Sequence, residues 1–212
     1  IGGCTLKMKA GAILDQYAWS CSLAQIRKLV LPGNEDIFPE VLKSCHQLET
    51  LHVYLLTDRW LTQFHNISQY LIKLRSFGAA GLQTQYSQLE HLRLPGVETV
   101  TLEDIALPDM LAVLRSTESL REARLEWTAW TIPRDPKLWH ELAQTLRSSR
   151  SLRSVVLVID SEEPLDLGNM NDALGQLTHW RASPVEGFNS DGFYDTHSQV
   201  LKLTRLTRSR LR

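Results

Sequence analysis

The chain has 212 residues, with 23 Lys and Arg against 24 Asp and Glu and a formal net charge of −1. That balance argues against a bulk polyanion binder, because non-specific nucleic-acid affinity grows with the number of phosphates that basic side chains neutralise. Hydrophobic residues at 43% and charged residues at 22% fit a globular chain, and the longest apolar runs, such as Val155 to Ile159, fall far short of the roughly 20 residues a membrane-spanning helix needs.

Residues 1–22 show no basic-then-apolar leader, so no signal peptide is expected, and Ile13, Leu14, Tyr17 and Trp19 give this stretch the apolar surface of an N-terminal cap. Cys4, Cys21 and Cys45 are odd in number and widely spaced. They form neither a disulfide framework nor a paired C-x-x-C that would hold zinc, which implies a reducing intracellular compartment, cytoplasmic or nuclear.

From residue 23 onward an L-x-x-L-x-L spacing recurs. It is met by Ile26, Leu29 and Leu31, then by Leu48, Leu51 and Val53, more weakly from Leu71 and Leu74, then by two adjacent matches at Leu89, Leu92 and Leu94 and at Val97, Val100 and Leu102, by Leu120, Ala123 and Leu125, and by Leu152, Val155 and Leu157. Unit starts at 26, 48, 71, 97, 120 and 152 give steps of 22, 23, 26, 23 and 32 residues, and the first four steps suit leucine-rich repeats. Alternating apolar positions bury one face of a short strand, and each such strand requires a neighbour.

Between these strands the period changes to that of helices. Ile37, Phe38, Val41 and Leu42 recur at helical spacing, as do Leu107, Leu111 and Leu114 around Pro108. The clearest helix is 136–148, where Asp135 can act as N-cap, Pro136 takes the first position and Leu138, Leu142 and Leu146 form a stripe. Trp60, Phe64, Ile67, Leu71 and Leu74 also fall at helical intervals. Leu71 therefore either opens the third strand or ends a long helix, in which case the third unit begins at Leu89 and the match at Val97 is incidental.

The expected architecture is an α/β leucine-rich-repeat solenoid, with curved parallel strands inside and helices outside. It comprises an N-terminal cap at 1–22, the repeats at 23–182, and a C-terminal cap or basic tail at 183–212. In that last segment Lys202, Arg205, Arg208, Arg210 and Arg212 stand without an acidic residue beyond 202, while Leu201, Leu203, Leu206 and Leu211 suit an amphipathic cap.

Three segments, IRKLVLPGNEDIFPEVLKSCHQLETLHV, LEHLRLPGVETVTL and LPDMLAVLRSTESLREARLEW, resemble the leucine-rich repeats of fungal F-box-like proteins. The resemblance covers roughly residues 23–160. It implies a substrate-recognition part of a ubiquitin-ligase receptor, whose adaptor would be gripped through an N-terminal F-box. Residues 1–22 are too short to hold an F-box, so adaptor binding would belong to a region missing from this chain. The alternative is a structural scaffold or regulatory repeat protein with no ubiquitin link.

No catalytic constellation is legible, so no enzyme activity, cofactor or metal is expected. His140-Glu141 lacks the second histidine one turn later that a zinc protease helix needs, since position 144 is Gln. No G-x-S-x-G elbow or lysine-bearing phosphate loop is present. Adjacent Cys45 and His46 would point in different directions on a helix. The candidate partner-binding residues are instead those between the repeat leucines, which face the concave side: Lys28, Thr50, His52, Tyr54, Lys73, Arg75, Thr101, Glu103, Glu122, Arg124 and Glu126. Their mixed chemistry suits a protein partner better than nucleic acid or a membrane. Trp127 and Trp130 follow the fifth strand either as interface anchors or packed beneath the loop 127–135.

Overall fold

The computed structural model describes residues 4–7, 23–31, 42–57, 64, 66–83, 92–128, 130–160, 168–184 and 199–206. Among these residues nine strands form one sheet: β1 (Cys4–Lys7), β2 (Ile26–Leu31), β3 (Thr50–Thr57), β4 (Ser76–Gln83), β5 (Thr99–Glu103), β6 (Glu122–Thr128), β7 (Ser154–Asp160), β8 (Trp180–Pro184) and β9 (Gln199–Arg205). Their order is β1-β2-β3-β4-β5-β6-β7-β9-β8. All pairs from β1 to β7 are parallel, so each strand lies beside its predecessor in the chain.

Parity along each strand decides the faces. Register places Leu29, Leu51, Phe77, Val100, Ala123 and Val155 in one row, and Leu31, Val53, Ala79, Leu102, Leu125 and Leu157 in the next. Every one of these residues is buried and belongs to a single apolar core. The same core takes in the buried faces of α1 (Leu107–Ser116), α2 (Pro136–Ser148) and α3 (Gly168–Gly175), so the helices cover that side of the sheet. In α2, Asp135 accepts from the Lys137 amide at 2.9 Å and Pro136 occupies the first turn, as its sequence dictates. Its core stripe is Trp139, Leu142, Ala143 and Leu146, with Leu138 at the margin. α1 likewise carries its proline, Pro108, in the first turn, where the missing N–H has no partner to lose.

A tight backbone turn precedes most strands. Leu48 donates to Cys45 at 3.0 Å, Leu74 to Leu71 at 3.0 Å, Val97 to Leu94 at 3.1 Å, Leu120 to Thr117 at 3.3 Å and Trp180 to Leu177 at 3.0 Å. The acceptor residue is buried each time. Thr117 keeps a hydroxyl there by donating it to the Val113 carbonyl at 2.8 Å, which offsets the cost of burying a polar group.

Two expectations change. Leu71 and Leu74 do not open the third strand: Phe64 and Ile67 are helical, Ser68–Tyr70 forms a 3₁₀ turn, and β4 begins only at Ser76. The helical spacing holds for Phe64 and Ile67 and ends in the 3₁₀ turn, while Leu71 and Leu74 are buried in the turn that leads to β4. Val97 does precede a strand, whereas Leu92 and Leu94 are buried in the turn before it. The expected all-parallel series also fails at its C-terminal end. β9 pairs antiparallel with β7, and β8 antiparallel with β9. Lys202 and Arg205 of the basic block thus lie on a strand, whereas Arg208, Arg210 and Arg212 fall outside the described residues, as do Ile37, Phe38 and Val41. Among the described residues no helix is long and apolar enough to cross a membrane.

Candidate functional site: the open face of the sheet

Opposite the helices, the remaining strand positions form three rows in register. Lys28, Thr50, Ser76, Thr99, Glu122 and Ser154 make the first. Val30, His52, Gly78, Thr101, Arg124 and Val156 make the second. Tyr54, Ala80, Glu103, Glu126 and Val158 make the third. Nine of the eleven candidate residues are brought together here: Lys28, Thr50, His52, Tyr54, Thr101, Glu103, Glu122, Arg124 and Glu126. Lys73 and Arg75 are not. They sit in the approach to β4, where Lys73 Nζ reaches Gln47 Oε1 at 2.5 Å and Arg75 donates to the Gly96 carbonyl at 2.9 Å. Only a strand that began at Leu71 would put them on the face, and β4 begins at Ser76.

The contribution of β4 was missed. Ser76, Gly78 and Ala80 are its face residues, and all are small. The signal available was the parity of Phe77, flanked by residues of low strand propensity that concealed it. The small side chains leave room for His52, which leans over Gly78 so closely that a Cβ built at position 78 would collide with its imidazole. His52 also lies 4.5 Å from the Tyr54 ring, centroid to centroid, at 44°. Tyr54 remains 44% exposed, an aromatic surface presented to solvent.

Burial, and then the nearby Lys28 ammonium, hold the His52 imidazolium pKa below its ordinary value, so the ring is neutral near pH 7. Its Nε2 is buried and has no hydrogen-bond partner among the described residues. On β6, Arg124 donates from Nε and Nη2 to Glu126 Oε2 at 3.1 and 2.8 Å. Beside that pair, burial and then the Glu126 carboxylate push the Glu103 pKa up, with Arg124 opposing. The β5–β6 sector is therefore acidic, with Glu103, Glu122 and Glu126 around one arginine.

At the N-terminal ends of the strands a further charged row joins neighbouring units: Arg27 lies 3.3 Å from Glu49, and Glu98 lies 3.9 Å from Arg75 and 3.5 Å from Arg121. These pairs are exposed and each stabilises by no more than about 1 kcal/mol.

The two tryptophans after β6 separate. Trp127 continues the inward parity of Ala123 and Leu125, is fully buried, and meets Trp139 edge-on at 5.6 Å. Trp130 is 91% exposed. Cys45 is a buried thiol whose pKa desolvation pushes up to about 11, which leaves it protonated and a poor nucleophile at neutral pH. Among the described residues no three His, Cys, Asp or Glu side chains are grouped to hold a metal.

No family model matches the chain, and no curated protein matches it. Two solved structures align along most of its length. One is a protein in the NADB-Rossmann superfamily from Streptococcus agalactiae, at 9% identity and a TM-score of 0.29, covering 91% of this chain and 70% of that one. The other is the 23S rRNA methyltransferase ErmE, at 10% identity and a TM-score of 0.28, covering 88% of this chain and 66% of that one. The chain thus spans just under two thirds of ErmE.

These findings correct the family assignment. No family model supports the resemblance to fungal F-box-like leucine-rich repeats, and the antiparallel pairs β7–β9 and β8–β9 break the series of parallel units that such a solenoid repeats. The solenoid, repeat-family and ubiquitin-ligase readings are therefore withdrawn, and the fold class is an α/β protein with an open, mostly parallel sheet. The spaced aliphatics that suggested the family record only that consecutive strands bury one face, which many α/β proteins require. The expectation that the chain is not an enzyme rested on the lack of a recognisable catalytic motif and is not kept, because an open, mostly parallel α/β sheet is a scaffold for enzymes as well as for binding proteins. Likeness at these TM-scores transfers neither an activity nor a ligand to this chain.

Proposed function

We propose that the open face of the sheet is a protein-binding surface, centred on β3 to β6. The observation that carries this reading is the register itself, which sets Tyr54, His52, Thr101, Glu103, Arg124 and Glu126 side by side opposite the helix-covered face. Such a mixture of aromatic, hydroxyl and charged groups is characteristic of the surfaces that proteins recognise. Nucleic acid is disfavoured by the acidic β5–β6 sector, which would repel phosphates.

A photo-crosslinking residue placed at Thr101, on this face, and separately at Gln144, exposed on α2, tests the proposal in the intact chain. Discrete protein adducts formed from position 101 and absent from position 144 support it. Equal adducts from both positions, or none from 101, would overturn it; equal adducts would favour a scaffold that is held from several sides.

A further inference from the structure

Beyond the C-terminal ends of β5 and β6 the chain builds a fixed platform. Asp104 adopts the left-handed conformation, φ 51°, and its amide donates to the Glu126 carbonyl at 2.9 Å. Its Oδ1 accepts from the Thr128 amide at 3.1 Å and from the Thr131 hydroxyl at 2.9 Å. The Thr131 and Ile132 amides return to the Thr128 carbonyl at 3.2 and 3.1 Å, closing the turn around position 130. Farther on, the Trp139 indole donates to the Pro133 carbonyl at 3.1 Å, which ties the loop to α2, while Trp127 pins its start in the core.

On this tied loop the largest apolar side chain is left in water. An indole that is 91% exposed forfeits the burial that would favour it by roughly 2 kcal/mol or more, and here the loop's own hydrogen bonds already fix its backbone. A preordered aromatic loses little entropy on docking, which is the property of an interface anchor. The adjoining rim is acidic: Glu103 and Asp104 end β5 and begin the turn, and Glu126 lies two residues before Thr128. Glu103 is held partly out of water beside the Glu126 carboxylate, and Arg124, bound to Glu126 Oε2 at 2.8 Å, is the one arginine set against the two carboxylates, so an added cation is favoured there.

We infer that Trp130 is the anchor by which the open face captures a basic protein segment, with its indole taking an aliphatic side chain of the partner while lysines or arginines meet Glu103 and Glu126. This rests on the protein-binding reading of that face and adds to it both an anchor residue and the charge of the partner.

The test uses the whole chain, labelled with ¹⁵N, and a short lysine- and leucine-rich peptide, with its glutamate-substituted counterpart as control. Trp130→Phe assigns the indole N–H resonance. The lysine peptide is expected to shift that resonance together with the amides of Glu103 and Glu126, to lose the effect at high salt, and to bind about tenfold more weakly to Trp130→Ala, whose melting temperature stays that of the parent. Equal shifts with the glutamate peptide, an unmoved Trp130 resonance, or full binding by Trp130→Ala would each overturn the inference. If Trp130 stays unmoved while position 101 still crosslinks to a protein, only the anchor and its basic partner are lost. If neither responds, the binding-face reading falls as well.

Discussion

The imidazole of His52 occupies the space that a side chain at Gly78 would fill, so two adjacent strands share one layer of the open face. Gly78 is not required for an unusual backbone angle; it is required for clearance. Gly78→Ala is therefore expected to destabilise by about 1–3 kcal/mol, the usual cost of overpacking. In a His52→Ala background the same change should be nearly neutral. Urea unfolding of the four proteins in the cycle measures the coupling, and additivity would show that the two side chains do not compete.

Asp104 unites β5 with the loop after β6. Asp104→Ala removes the acceptor of the Thr128 amide and the Thr131 hydroxyl and keeps an unfavourable left-handed residue, so a loss of about 1–3 kcal/mol is expected. Asp104→Asn retains one oxygen and tolerates that conformation, and should recover much of the loss. Hydrogen exchange at the Thr128 amide checks the local claim: it should quicken in the alanine variant.

Acidification should separate two groups on the same face. The folded-state pKa of His52 lies below its ordinary 6.5, so its contribution to stability is complete above that pH and is lost as pH falls toward the folded value. Glu103 lies above its ordinary 4.5, so its contribution is present below that pH and is lost as pH rises through the folded value. His52→Gln should flatten the decline in stability on going from pH 8 toward pH 5, whereas Glu103→Gln should raise stability at neutral pH and lose that advantage in acid. Denaturation midpoints across this range provide the measurement; a decline unchanged by His52→Gln would assign it elsewhere.

Arg205 closes the sheet's far end. Its guanidinium donates to the carbonyls of Ser149 and Arg150 and lies 5.9 Å from the centre of the Trp180 ring, while its amide bonds the Arg153 carbonyl at 2.8 Å. A lysine retains the charge but not the planar fork, so Arg205→Lys should cost about 1–2 kcal/mol. Glu98→Gln, which breaks only exposed pairs, should change stability by less than about 1 kcal/mol. Parallel thermal melts compare the two, and equal effects would remove the special role of Arg205.

Local chemistry determined a good deal of this protein. Strand faces at Leu51 and Val53, Val100 and Leu102, Ala123 and Leu125, and Val155 and Leu157 follow from a two-residue period, and the cap of α2 follows from Asp135 and Pro136. Parity even marks Trp127 as inward, two residues beyond Leu125, and leaves Trp130 past the strand's end.

Tertiary structure alone decided the rest, because strand pairing is a contact between distant segments. Small residues let β4 form where no leucine pattern announced it, which removed Lys73 and Arg75 from the open face and put Gly78 beneath His52. Lys202 and Arg205 of the basic C-terminal block lie on an antiparallel strand because β7 offered an unpaired edge, a circumstance no local period records. Recurring aliphatics likewise specify buried strand faces without specifying a family, since burial rewards any arrangement that removes those side chains from water.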